Sequence, residues 1–157
     1  MPDSDTKTRA NSLYESDFFT WTQEQARLLR ERRFDDLDLD NLVDEVESVG
    51  SSEKHEIRRR LKVLLTHLLK WKFQPGLRGV SWRRTIRQQR EAIAEIIETS
   101  PSLRAYPSQV MRTAYTGATV SASEETGIII GIFPETCPFS VDQILDLEFF
   151  PEDPANE

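Results

Sequence analysis

The sequence predicts an all-α fold: a single helical bundle of about five helices, built around a long central helix and an antiparallel hairpin. Two observations predict it. Apolar residues Leu42, Val46, Val49, Ile57, Leu61, Leu64, Leu65, Leu68 and Trp71 recur mostly at gaps of three or four, the spacing of one helical face. Gln74-Pro75-Gly76-Leu77-Arg78-Gly79 then stops the pattern, and a second one begins at Trp82. A connection this short folds two helices back on each other.

Taken in order, Met1 to Ser12 is polar and reads as a disordered tail. Asp17 is expected to cap a first helix running to about Arg33. Its apolar face is Phe18, Trp21, Leu28 and Leu29, with Gln25 and Arg32 on the edges. Phe34 to Leu37 connects to the long helix, which Asp38 is placed to cap. Acids crowd its first half and bases its second, the order the helix dipole favours. Gly50 costs about 1 kcal/mol relative to alanine in a helix interior, so the expectation is one helix with a local irregularity there.

Ser81 is the expected cap of the next helix, with Trp82, Ile86, Ile93, Ile96 and Ile97 as its apolar face. Trp71 and Trp82 should meet near the closed end of the hairpin. Pro101 ends that helix, and Pro107 suits the first turn of another. Val110, Ala114, Ala118 and Ala122 give it a slim face, weakened by Gly117. Gly127 to Phe133 is expected to be a helix end followed by a buried extended segment. Three adjacent isoleucines favour a strand, but a lone strand has no partner here. Ser140 and Gln143 form a capping box opening a last helix to about Leu147. Phe149 and Phe150 are expected to pack back, and residues 151–157 to fray. The domain reading is therefore one helical domain, residues 13–150, between two tails.

The quoted pieces have a resemblance in common. Leu42-Val43-Asp44-Glu45-Val46-Glu47-Ser48-Val49-Gly50, His67-Leu68-Leu69-Lys70-Trp71 and Gln74-Pro75 occur in that order. Ser81-Trp82-Arg83 with Ile86 and Arg90, Ser100-Pro101-Ser102-Leu103, Ala114-Tyr115, Phe133-Pro134 and Cys137-Pro138 follow. Together they resemble a bacterial family called domain of unknown function number 29, over roughly Leu13 to Leu147. The resemblance implies a small helical protein and supplies no catalytic residues. Val46 and Val49 stand where the family pattern has Ile and Met, exchanges expected to fall in the core.

Composition bounds the function. The formal charge of −7 at 157 residues hides a sharp segregation. Residues 1–53 carry net −8, residues 54–90 net +11, and residues 91–157 net −10. One cysteine, Cys137, excludes an internal disulfide and a cysteine-cluster metal site. The longest apolar run, Gly127 to Phe133, is far too short to span a membrane, and no apolar signal core opens the chain. A cytoplasmic location and no membrane partner are expected.

Three functional readings follow. The leading one is a non-catalytic protein-interaction or regulatory module, with an unspecified protein partner or self-association, because segregated charge suits oriented contact. The second is nucleic-acid binding through the basic hairpin 54–90. Arg83, Arg87 and Arg90 fall at i, i+4 and i+7, with Arg59, Lys62 and Lys70 on the preceding helix and Trp71, Phe73 and Trp82 near. Against it, the sequence pI is about 5.0, and aromatics are more often core than stacking platform.

The third and weakest is a metal-assisted hydrolase using Glu45, Glu53, Glu56 and His67. Glu45, Glu56 and His67 recur every 11 residues, about 16 Å of rise per step, so no two share a metal within one helix. Glu53 falls on the apolar stripe and would need an arginine partner if buried. His67 reads more simply as a core-edge histidine, and Cys137 as a buried small residue rather than a nucleophile. No phosphate loop, nucleophile elbow or zinc pattern is present, and no cofactor is expected.

Overall fold

The computed structural model describes residues 13–152, and the expected tails at 1–12 and beyond 152 lie outside them. Five helices follow a single helical turn at 13–16: α1 Phe18–Arg30, α2 Leu39–Phe73, α3 Val80–Thr99, α4 Tyr106–Thr126 and α5 Val141–Leu145. Short 3-10 turns at Phe34–Asp36, Pro75–Leu77, Pro101–Leu103 and Ile130–Ile132 link them, and the described residues contain no strand. The fold class is all-α. Two compact units share α2, Met1–Ser52 and Glu53–Glu157.

In the first unit, Asp17 caps α1 as expected, its carboxylate accepting the Thr20 N–H at 3.0 Å. α1 ends at Arg30 rather than near Arg33. Arg32 turns left-handed at φ 57°, while the Arg33 and Arg32 amides donate to the Leu28 and Leu29 carbonyls. That is the Schellman arrangement, which glycine usually fills. The expected face is also corrected. Trp21, Gln25 and Leu28 are buried, whereas Phe18 and Leu29 are exposed. Gln25 is drawn inward because its Oε1 accepts the Asp38 N–H at 2.8 Å. Trp21 donates its indole N–H to Asp38 at 3.0 Å, and the Phe18 and Tyr14 rings pack on it.

α2 is one 35-residue helix, unbroken at Gly50. Its apolar face behaves differently at its two ends. Ile57, Leu61, Leu64, Leu65, Leu68 and Leu69 are completely buried, yet Val46 and Val49 are each 69% exposed. The core assignment of those two valines is therefore overturned: periodicity put them on the right face, but nothing among the described residues covers it.

The second unit is built on α2 from Glu53 onward. Arg60 contacts Gln89 and Glu53 contacts Ser100, so α3 runs antiparallel to α2. Lys54 lies over Tyr106, the Lys62 stem lies against Gly117, and Lys70 pairs with Glu125, so α4 runs parallel to α2. The core joins leucines of α2, Ile86 and Ile93 of α3, Ala114, Ala118 and Ala122 of α4, and Ile144 of α5. The slim alanine face of α4 admits close packing, as its spacing predicts.

Several local expectations change. α3 is capped by extended Gly79 rather than by Ser81, which falls inside the helix. Trp71 and Trp82 both join the core, but the ring against Trp71 is Phe150, at 4.6 Å between centroids, and Trp82 lies under the Lys70 ammonium. α4 ends on Gly127 in the left-handed region, φ +75°, where glycine carries no Cβ penalty. The isoleucines beyond it are not buried: Ile129 is 75% exposed, and Ile130 and Ile132 are exposed too. Phe133 takes the inward position instead, edge-on to Phe73, and the next residue's carbonyl accepts from the Tyr115 hydroxyl at 2.6 Å. The Ser140 capping box forms as read, and Pro151 is buried.

Candidate interaction surface

The basic residues singled out from the sequence do not form one open stripe. Arg90 is 2% exposed and sits in the core, where its Nε donates to the Ile144 carbonyl at 2.7 Å and Nη2 to that of Gln143 at 3.3 Å. Burial lowers its pKa to about 10, and the nearby Asp146 charge partly offsets that. Arg87 pairs with Glu91 at 2.8 Å on the surface. Arg83 lies over the Trp71 and Phe150 rings, with guanidinium-to-centroid distances of 5.6 and 5.4 Å. Arg59 pairs with Glu56 at 2.6 Å, and Lys70 with Glu125 at 2.8 Å. Lys62 is exposed at its tip and packs its stem on α4.

The acidic candidates each have a separate partner. Glu45 accepts the Tyr14 hydroxyl at 2.6 Å, and that bond foremost pushes the phenol up to about 12. Glu53 is only half-buried, so it needs no arginine, and it accepts the Ser100 hydroxyl at 2.6 Å. Glu56 is held below the usual glutamate range, first by the Arg59 hydrogen bond and then by the Arg60 and Arg59 charges, with burial opposing. His67 approaches the Val63 carbonyl through Nδ1 at 2.9 Å, which places the proton on that nitrogen. Burial foremost, with the Lys70 charge, lowers its pKa. Among the described residues, no group of three His, Cys, Asp or Glu side chains is placed to hold a metal ion. Cys137 is half-buried and burial raises its thiol pKa, so it lacks the electropositive setting that activates a thiolate.

A different surface stands out in the first unit. Its described residues bury only three large hydrophobics, Trp21, Leu28 and Leu37. They expose Phe18, Phe19, Leu29 and Phe34 and, on α2, Leu39, Val43, Val46 and Val49. Leu39, Val43, Val46 and Gly50 follow at gaps of four, three and four, one straight stripe on the helix. A Cβ built at Gly50 meets no atom within 4 Å, so the stripe stays open at that end. Asp40, Asp44 and Glu47 line one edge of it and are exposed. None of the three makes a hydrogen bond or ion pair among the described residues.

The sequence comparison decides the family. The family described as Domain of unknown function DUF29 matches residues 13–150. The chain belongs to it. No curated protein and no solved structure shows significant similarity. Within this DUF29 chain, the motif pieces meet in space. Tyr115 bonds to Pro134, Trp71 packs on Phe150, and Arg90 reaches α5. The acidic piece 42–50 is the exception, since much of it faces outward.

Two features of the DUF29 surface escaped the sequence reading. One is the burial of Arg90, for which the signal was present: Ile86, Arg90 and Ile93 share one helical face at gaps of four and three. The other is the open stripe on α2, which periodicity alone reads as core.

Proposed function

We propose that this protein is a non-catalytic interaction module, and that the first unit is its docking platform for a partner protein's helix. One observation carries the reading: among its described residues, that unit buries three large hydrophobic side chains and exposes eight. Isolated exposed hydrophobics are ordinary, but a contiguous patch marks a contact surface. The straight stripe on α2 has the spacing by which one helix receives another, ridges into grooves. The partnering of most candidate cations supports the same reading. Arg59, Lys70 and Arg87 are held by carboxylates, and Arg90 lies inside.

The test uses a photo-crosslinking residue at Val46 in the full chain, with the same residue at exposed Arg112 as control. The expected result is capture of a protein at position 46 alone. The captured protein, purified, binds the wild-type chain and loses at least tenfold in affinity with Val43→Asp/Val46→Asp, about 1.4 kcal/mol. That variant keeps its stability within about 0.5 kcal/mol, as surface substitutions do. Equal capture at both positions, or a folded aspartate variant with undiminished affinity, overturns the proposal. A large loss of stability would mean that the stripe is core.

A further inference from the structure

We infer that the helix received by the α2 stripe is a basic amphipathic one, carrying Lys or Arg along one edge of its apolar face. This rests on the docking reading above and adds the chemistry of the partner. Three carboxylates, Asp40, Asp44 and Glu47, follow at gaps of four and three beside the stripe. They rise about 6 Å and then about 4.5 Å along α2, so they form a row and not a cluster. All three are exposed, and none has a hydrogen-bond or ion-pair partner among the described residues. Their row therefore presents negative charge along one side of an apolar strip.

Charge also argues against the two simplest alternatives. A second copy would bring the same strip, and residues 39–52 contain four acids and no base. Apposed copies would set carboxylates against carboxylates, which is destabilising. An acidic partner meets the same repulsion. A helix with cations at i, i+4 and i+7 beside its apolar residues instead pairs each carboxylate while filling the strip. From Leu39 to Gly50 the strip is about 16 Å long, three turns of partner helix. Open Gly50 lets that helix approach closely at one end.

The test measures fluorescence anisotropy of two synthetic amphipathic peptides of about 20 residues, long enough to hold a helix. They share one leucine face and differ only in carrying Lys or Glu at the three edge positions. The full chain is expected to bind the Lys peptide about tenfold more tightly than the Glu peptide, three exposed pairs at roughly half a kcal/mol each. The preference should shrink with salt, because the Debye length is about 8 Å at physiological ionic strength. Asp44→Lys/Glu47→Lys should reverse it, while Glu124→Lys on α4 should leave it. Val46→Asp should weaken both peptides.

Equal affinity for the two peptides, with Val46→Asp still weakening both, overturns the charge inference and leaves the docking reading standing. A concentration-dependent dimer lost in Val46→Asp overturns it in favour of a second copy. No binding of either peptide, with no capture at position 46, overturns both.

Discussion

Arg90 places a guanidinium in the core without any carboxylate against it. Its Nε and Nη2 donate to the carbonyls of Ile144 and Gln143 at the C-terminal end of α5, where a helix concentrates negative partial charge, while its buried Nη1 has no partner among the described residues. The aliphatic stem and the Phe150 ring complete its surroundings. Such a group stabilises chiefly through the Ile144 carbonyl, because the Gln143 carbonyl also accepts the Asp146 amide at 3.3 Å. Arg90→Met keeps most of the volume and removes both bonds. It is expected to lower unfolding stability by about 1–3 kcal/mol, read as a lower urea midpoint at unchanged slope. An unchanged midpoint would show that the bonds to α5 contribute nothing. Arg32 is the other residue whose role is conformational, because it holds the left-handed position that ends α1.

α2 runs as one helix through a residue of poor helix propensity. Gly50 has open space around it, so a methyl group there meets nothing. Gly50→Ala is therefore expected to stabilise the protein by about 1 kcal/mol, seen as a rise of about 2–4 °C in the thermal midpoint. A lower midpoint would mean that the helix breaks there in solution. At this scale the sequence was most legible where the signal is local. The Asp17 cap, the Ser140 capping box and the proline stops depend on a few adjacent residues, and they appear as read. The Ser81 cap failed because the helix begins earlier, on extended Gly79, which places Ser81 inside its first turn. The buried extended segment expected after Gly127 failed because a 3-10 turn at Ile130–Ile132 redirects the chain and leaves Ile129, Ile130 and Ile132 exposed. Periodicity named the faces of α2 and α3 but could not say what would cover them. So it misjudged Val46 and Val49 in one direction and Arg90 in the other.

For the whole molecule, the loss of stability towards acid follows the groups whose pKa folding lowers, His67, Glu56 and Asp17. Glu56 has a pKa below the ordinary glutamate value of 4.5, and His67 one below the ordinary 6.5. In both cases the unfolded chain binds more protons than the folded one, so stability rises with pH across the window. Stability should be complete above 6.5, fall as pH drops through the lowered His67 value, and fall again below 4.5. His67→Gln is expected to flatten the first decline and Glu56→Gln to lessen the second, which Asp17 shares, in urea midpoints taken from pH 8 to about 3. A His67→Gln profile that keeps the first decline would move its origin to another group. The charge blocks were legible in the sequence. Their pairing was not, because it depends on which helices lie parallel, and α4 beside α2 joins residues as distant as Lys70 and Glu125.

The contact between Arg90 and Ile144 also has a consequence for synthesis. The two residues are 54 positions apart, and the carbonyl that receives the guanidinium does not exist until the later one is made. At about 5–20 residues per second, a ribosome takes roughly 3–10 s to cover that distance. During that interval the rest of α3 and then α4 are made, while the Arg90 cation still requires water. The second unit therefore cannot complete its core until α5 has been made.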